Sequence, residues 1–170
     1  MTKQRIHRLV LSALLLALGL VLPFLTGQIP EVGSRLLPLH LPALLCGFVC
    51  GWPWGLAVGA VLPVLRSFLF GMPPLMPTAL AMTFEMAAYG AAAGALYRRC
   101  NVYVSLVGAM IIGRLVWGVA SWLLYAAFMP NGFSLAMFWA GGFVNAWPGM
   151  VLQLIVVPLI VTALKKAKLI

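Results

Sequence analysis

Three ionisable side chains lie inside long apolar stretches, and their positions suit them to recognise a ligand. Arg66, Glu85 and Arg114 are each far from the next charged residue along the chain. A charge at bilayer depth costs at least about 2.5–3.5 kcal/mol, so it normally faces a bundle interior or a water-filled cavity. A rise of about 1.5 Å per residue puts Arg66 and Glu85 within about 12 Å of the outer ends of their helices. We therefore predict one outward-facing site that includes all three charges.

Polar and aromatic residues recur at helical spacing around these charges. One set follows the helical face of Glu85, another follows that of Arg114, and two further residues flank Pro148-Gly149. Such a mixture is typical of a pocket for a small polar organic solute. The candidate binding residues are Arg66, Thr78, Met82, Glu85, Tyr89, Arg114, Trp117, Ser121, Tyr125, Asn145 and Gln153.

The same charges admit a purely structural interpretation, which stays open. Glu85 and Arg114 can form an ion pair that only holds two helices together, and Arg66 can extend its charged end outward. Against this, the three charges leave a net +1 in the bundle, which a ligand with one carboxylate would neutralise. Ligand binding by Arg114→Ala and Arg66→Ala would separate the two interpretations.

Catalysis and metal binding find little support. The chain has no Asp, and its only histidines, His7 and His40, have no nucleophile or metal partner nearby in sequence. Cys46 and Cys50 lie four residues apart without an accompanying His or carboxylate, which favours a packing role over a metal site. No phosphate-binding Gly-Lys-Ser/Thr loop is present, so ATP hydrolysis would need partner subunits. We expect no catalytic residue, cofactor or metal.

Composition places the elements that carry these residues in a membrane. The chain is 64% hydrophobic and only 8% charged, whereas about a quarter of the residues in a soluble domain are charged. A helix needs about 20 apolar residues to cross the hydrocarbon core. We predict an all-α membrane protein, a compact bundle of six transmembrane helices that forms one integral membrane domain over residues 1–170. The predicted spans, of which the second is short for a crossing, lie near 8–26, 38–51, 54–70, 77–97, 103–128 and 143–164.

The basic residues predict the orientation of the bundle. Six crossings put both termini and the turn at 98–102 on one side, and that side holds eight of the eleven Lys and Arg residues. By the positive-inside rule both termini are cytoplasmic. The cations are divided among three loops without a folded domain, which argues against nucleic-acid binding.

Glycines four residues apart predict close helix packing. Gly47/Gly51, Gly55/Gly59 and Gly90/Gly94 have this spacing, which lets helix backbones approach one another in a bilayer. Internal packing is the favoured interpretation for most of them.

Several short motifs, in a characteristic order and spacing, extend over nearly the whole length. They are Leu39–Phe48, Gly55–Gly59, Leu65–Pro74, Phe84–Gly90, Gly113–Gly118 and Pro148–Gln153. In these motifs the chain resembles the substrate-binding S components of energy-coupling factor (ECF) vitamin transporters.

The resemblance implies a function and a set of partners. It implies six helices with cytoplasmic ends in a bacterial cytoplasmic membrane, and capture of a vitamin from outside beneath the loop Gly27 to Leu37. Binding residues are expected from that loop and from helices four to six. The expected partners are a membrane coupling subunit, which docks on an Ala-x-x-x-Ala motif matched by Ala13 and Ala17, and two ATPases.

The identity of the vitamin is predicted from two motifs. Leu39–Pro42 and Gly71–Pro74 are most similar to the branch often assigned to pantothenate, and a net +1 suits a monocarboxylate. Folate, riboflavin, thiamine and cobalamin remain open.

The alternative function is a stand-alone channel or facilitator for a small solute. The absence of an obvious internal repeat favours a binding subunit over an alternating-access carrier.

Overall fold

The computed structural model describes residues 3–26, 35–129 and 132–167, and within these ranges all regular structure is helical. Each of two helices is directly preceded by one wide turn with π-helical hydrogen bonding. In chain order the elements are α1 (Lys3–Val21) with a 3-10 extension (Leu22–Thr26), α2 (His40–Cys50), α3 (Trp52–Phe70), a π turn (Leu75–Ala79), α4 (Leu80–Leu96), α5 (Val102–Phe128), α6 (Leu135–Trp139), a second π turn (Ala140–Val144) and α7 (Trp147–Lys166).

Local sequence fixes where these helices start and stop. Gly71 ends α3 in the left-handed conformation (φ 71°), which a glycine adopts without steric cost. The Asn101 side chain caps α5 by accepting a hydrogen bond from the Val104 amide at 2.9 Å. Pro148 lies in the first turn of α7, where its missing N–H costs nothing. Regular helix therefore begins at Trp147, later than the start of the predicted span near 143.

The helices present apolar side chains to their surroundings, as a membrane protein requires. Among the described residues, five stretches are long and apolar enough to cross a bilayer: Lys3–Leu25, Trp52–Phe70, Leu75–Leu96, Val102–Phe128 and Leu135–Lys166. Large apolar residues on their outer faces, such as Phe68, Leu115 and Leu159, are more than half exposed. With 11 residues, α2 spans only about 16 Å and is largely enclosed by its neighbours. The prediction of an all-helical membrane bundle is thus confirmed, whereas the cytoplasmic location of its termini stays a prediction.

Close backbone contacts join α2, α3 and α4 into one block. A Cβ atom added at Gly90 would meet the backbone of Gly55, and one added at Gly59 would meet the backbone of Met86. Gly47 is equally confined, because its Cβ would meet the carbonyl oxygen of Gly90. Glycines at these positions therefore permit helix packing that no larger residue allows, in agreement with their spacing in the sequence.

Helix α4 lies at the centre of the bundle. It packs most extensively against α3 and α5, and also against α2. Helix α1 packs on α2 and α3, while α7 contacts α2 and α5. Residues near the middle of α4 are consequently surrounded by helices on several sides, which is where Glu85 and Tyr89 are found.

Candidate functional site

A buried ion pair joins α4 to α5. The Arg114 guanidinium donates a hydrogen bond through Nη1 to Glu85 Oε1 at 2.7 Å. Both side chains are almost fully enclosed, with 4% and 2% of their side-chain surface exposed. The two charges that the sequence predicts to face the bundle interior therefore do so, and they meet each other.

His40 and Tyr89 complete the surroundings of this carboxylate. His40, the first residue of α2, brings its Nε2 to 3.3 Å from Glu85 Oε1. Its ring meets that of Tyr89 edge-on, with centroids 5.1 Å apart. Tyr89 in turn lies against Gly113, where an added Cβ would be 2.5 Å from the ring. The glycine next to Arg114 is thus what allows the Tyr89 ring to pack flat on α5.

His40 is absent from the predicted site, because it lies at a predicted helix start without a chemical partner nearby in sequence. Its partners come from α4, more than forty residues further along the chain. The available signal was its place inside the motif Leu39–Phe48, which carries the family resemblance.

Several polar atoms of this cluster are buried without a hydrogen-bond partner among the described residues. They are Nδ1 and Nε2 of His40, the hydroxyl of Tyr89, Nε and Nη2 of Arg114, and both amide atoms of Gln153. Buried polar atoms are nearly always hydrogen-bonded in native proteins, so a group of unpaired ones calls for partners from outside the chain, such as water, an ion or a ligand. His40 Nε2 lies near Glu85 but outside hydrogen-bond geometry.

The unpaired atoms of Arg114 form one continuous edge of its guanidinium. Because Nη1 is engaged by Glu85, the edge formed by Nε and Nη2 is left free. Two parallel N–H donors on one edge match the two oxygens of a carboxylate. These donors are therefore the candidate contacts for an anionic group, and using them would leave the bond to Glu85 in place.

Gln153 is a further buried polar side chain, contributed by α7. It is fully buried, and it lies one helical turn before Val157. Val157 belongs to the apolar cluster that also contains Tyr89 and Ala109. Residues four apart share a helical face, so Gln153 lies on the buried side of α7, the helix that contacts α2 and α5.

An aromatic cluster lies beside the ion pair, towards the far end of α5. Trp117 stacks on Phe138 with centroids 6.1 Å apart and meets Phe133 edge-on at 5.7 Å. Tyr125 contacts the same Phe133 ring at 5.5 Å. Gly142 lies between Trp117 and Arg114, since a Cβ there would be 3.5 Å from the indole and 4.0 Å from Arg114 Cδ. Phe133 and Phe138 are not among the predicted binding residues, because the segment that holds them lacks a helical periodicity long enough to predict a membrane span.

Arg66 is buried in a separate environment. Its guanidinium donates to the carbonyl oxygen of Leu20 and lies over the rings of Phe24 and Phe70, at 5.3 Å and 5.2 Å from their centroids. These contacts tie α3 to the end of α1. Of the three charges that the sequence places in one site, the structure thus pairs Glu85 with Arg114, whereas Arg66 has its own partners.

The remaining predicted residues differ in their burial. Ser121 is buried, and Met82 is partly buried against Leu62 and Met86. Thr78 belongs to the π turn before α4 and is exposed, and Asn145 is exposed in the turn before α7. The part that these four residues play in ligand binding stays a prediction.

Two further features bear on partners and ligands. Ala13 and Ala17 are exposed on α1, whose opposite face buries Ser12 and Gly19.

No group of three metal-ligating side chains occurs in the ranges described above. Most of the predicted binding loop Gly27 to Leu37, namely residues 27–34, lies outside the described residues.

The fold and hydropathy define a polytopic α-helical membrane protein with charged residues enclosed in its interior. The family model for "ECF transporter, substrate-specific component" matches residues 7–161. The chain belongs to this family, which confirms the resemblance and makes the protein a substrate-specific component of an ECF transporter. No curated protein and no solved structure matches the chain.

Proposed function

We propose that this protein captures a carboxylate-bearing vitamin from outside a bacterial cell and that pantothenate is the preferred ligand. It acts as the substrate-binding subunit of an ATP-driven importer in the cytoplasmic membrane. The chain itself is non-catalytic, and two ATPase subunits together with a membrane coupling subunit supply the energy for transport.

The free edge of Arg114 is the observation that carries this proposal. Its Nε and Nη2 atoms are buried without partners, while Nη1 is fixed by Glu85. A ligand carboxylate on this edge would form two charge-assisted hydrogen bonds, each stronger than a neutral one. An uncharged ligand would leave these donors unsatisfied, which costs about 1–3 kcal/mol for a buried group.

The other unpaired groups favour a ligand that also has hydroxyl and amide groups. Gln153 offers both a donor and an acceptor, and the Tyr89 hydroxyl offers either. Pantothenate carries a carboxylate at one end and hydroxyl and amide groups along a flexible chain, so it can satisfy each of them. Glu85 neutralises one of the positive charges, which disfavours ligands with several carboxylates.

The exposed alanines of α1 suit the coupling subunit. Ala13 and Ala17 lie on a helix face that contacts none of the other described helices closely. Their small side chains would let a partner helix approach the α1 backbone, as small residues do in bilayers.

Equilibrium binding of radiolabelled pantothenate to the purified protein tests the ligand assignment. Arg114→Lys keeps the charge but removes the two-donor edge, so we expect an affinity loss of about tenfold or more. Arg98→Lys is the matched control, because Arg98 is exposed beyond the end of α4. Equal affinity in Arg114→Lys and wild type would contradict the proposed contact.

Two further measurements separate the alternatives. Binding of another carboxylate-bearing vitamin in preference to pantothenate would retain the site and change its ligand. Uptake into cells that lack energising subunits would instead favour the stand-alone channel or facilitator. We expect no uptake in such cells and ATP-dependent uptake when the partner subunits are co-expressed.

A further inference from the structure

A cavity lies at the end of the bundle where α1 begins and α7 ends. Its volume is about 850 Å³. None of the residues predicted to bind the vitamin contributes to it. Its lining comes from α1, the end of α2, the α4–α5 turn and the end of α7, and it includes Lys3, His7, Arg8, Leu11, Phe48, Val49, Tyr97, Asn101, Val102, Thr162 and Lys165.

Basic side chains from two helices converge on this cavity. Lys3, His7 and Arg8 come from one face of α1, and Lys165 comes from the last turn of α7 with its Nζ 6.0 Å from the centre of the Tyr97 ring. Glu85 is the only carboxylate side chain among the described residues, and it is engaged by Arg114. The cations at this cavity therefore have no acidic side chain of the described chain to neutralise them.

The positive-inside rule explains why this end of the bundle is basic, but it does not explain why the basic side chains converge on one cavity. Arg5, Arg98, Arg99 and Lys166 lie at the same end without lining the cavity. An orientation signal requires only that cations lie on one side of the bilayer. The convergence of Lys3, Arg8 and Lys165, all exposed, on one open cavity thus favours a ligand of opposite charge.

The remaining lining residues indicate which anion fits. Leu11, Phe48, Val49 and Val102 give the cavity apolar walls next to its basic rim. The neighbouring outer surface of α1, including Ile6 and Val10, is apolar and exposed. A free phosphate would use only the cations, whereas an anionic phospholipid would also place its acyl chains against the apolar walls. Basic pockets between helices at a membrane surface have this character.

We propose that this cavity binds the phosphate headgroup of an anionic phospholipid from the leaflet at the basic end. Lys3, Arg8 and Lys165 neutralise the phosphate, and the side-chain NH2 of Asn101, whose Oδ1 accepts from the Val104 amide, can donate a hydrogen bond to a headgroup oxygen. The bound lipid bridges α1 and α7. The site is separate from the proposed vitamin site and does not depend on it.

Native mass spectrometry of the delipidated protein in detergent, titrated with equimolar phosphatidylglycerol and phosphatidylcholine, tests this proposal. We expect the wild type to retain phosphatidylglycerol at least about tenfold more strongly. The double variant Arg8→Gln/Lys165→Gln should lose about thirtyfold in phosphatidylglycerol affinity, because each cation near a headgroup contributes a severalfold gain. Arg98→Gln/Arg99→Gln removes the same charge from the same end outside the cavity, and should retain the preference.

A third variant distinguishes the cavity from general surface charge. Thr162→Trp fills the lined volume without changing the charge, and should also reduce phosphatidylglycerol binding. The proposal fails if Thr162→Trp binds the lipid like the wild type, or if the two double variants lose affinity equally. It also fails if millimolar inorganic phosphate displaces the lipid, since the site would then serve a free anion. Gel filtration confirms that each variant is folded and monodisperse.

Discussion

Removing one or both partners of the Glu85–Arg114 pair separates the stability of the bundle from ligand capture. Glu85→Met leaves Arg114 buried without a counter-charge. The double variant Glu85→Met/Arg114→Met replaces the whole pair by apolar side chains of similar length. We expect the single variant to be strongly destabilised, and the double variant to be stable but unable to bind the vitamin.

The magnitudes follow from the geometry of the pair. At an effective dielectric constant of about 20, charges 2.7 Å apart attract each other by about 6 kcal/mol. Desolvation of two nearly fully buried groups offsets much of this attraction. Removing one partner of such a pair typically costs about 3–5 kcal/mol, whereas replacing both by apolar residues is often neutral or stabilising. The double variant should therefore be more stable than the single variant by several kcal/mol.

Thermal unfolding in detergent and binding of radiolabelled pantothenate measure the two effects independently. For a chain of this size, about 3 kcal/mol corresponds to a fall in Tm of about 6–12 °C. A Glu85→Met protein with an unchanged Tm would contradict the buried pair. A double variant that binds pantothenate with wild-type affinity would contradict the role of Arg114 in ligand capture.

Four other substitutions test separate parts of the structure. Gln153→Leu replaces an unpaired buried amide by an apolar group, so it should raise stability by about 1 kcal/mol or more while lowering ligand affinity, measured by unfolding and binding together. Gly113→Ala should displace the Tyr89 ring, whose nearest atom would lie 2.5 Å from the new Cβ, and cost about 1–3 kcal/mol in unfolding experiments. Ala13→Trp and Ala17→Trp should abolish uptake in cells with the partner subunits and leave equilibrium vitamin binding unchanged.

The glycine and alanine substitutions each have a control within the chain. Gly108→Ala meets only the end of the Leu96 side chain, which can rotate away, and should be nearly neutral. Ala126→Trp adds the same bulk to an exposed position of α5 and should leave uptake intact. A Gln153→Leu protein that binds the vitamin normally would remove Gln153 from the site. Normal uptake by both alanine variants would remove α1 from the docking surface.

The sequence predicts the helices and the burial of Glu85 and Arg114 because both follow from short-range rules. Apolar stretches near membrane length predict α1, α3, α4 and α5, and their lone charges have to face the interior. Glu85 and Arg114 lie on neighbouring antiparallel helices, so depth alone brings them to a similar level. The pairing needs no knowledge of loop structure.

The rest of the site depends on packing that the sequence pattern does not specify. His40 meets Glu85 because α2 is drawn against α4 by the contact of Gly47 with Gly90. Arg66 lies in an apolar helix, just as Arg114 does. Its partners are nevertheless different, because the Leu20 carbonyl and the rings of Phe24 and Phe70 surround its guanidinium. Helical periodicity cannot distinguish these two arginines.

The residues of the polar cluster come from two separate parts of the bundle, which gives a physical reason why some of their polar atoms lack hydrogen-bond partners. His40, Glu85 and Tyr89 belong to the block in which glycines hold α2, α3 and α4 in backbone contact. Arg114 and Gln153 come from α5 and α7, outside that block, and they carry most of the unpaired donors and acceptors.

Each unsatisfied buried group costs about 1–3 kcal/mol, so the ligand-free bundle is held below its attainable stability. A ligand that satisfies both parts would recover this energy by bridging them, and at a hundredfold excess over Kd it would stabilise the fold by about 2.7 kcal/mol. Unfilled hydrogen-bonding capacity at the α4–α5 contact is thus better explained by capture of a polar solute than by helix packing, for which an ion pair alone would suffice.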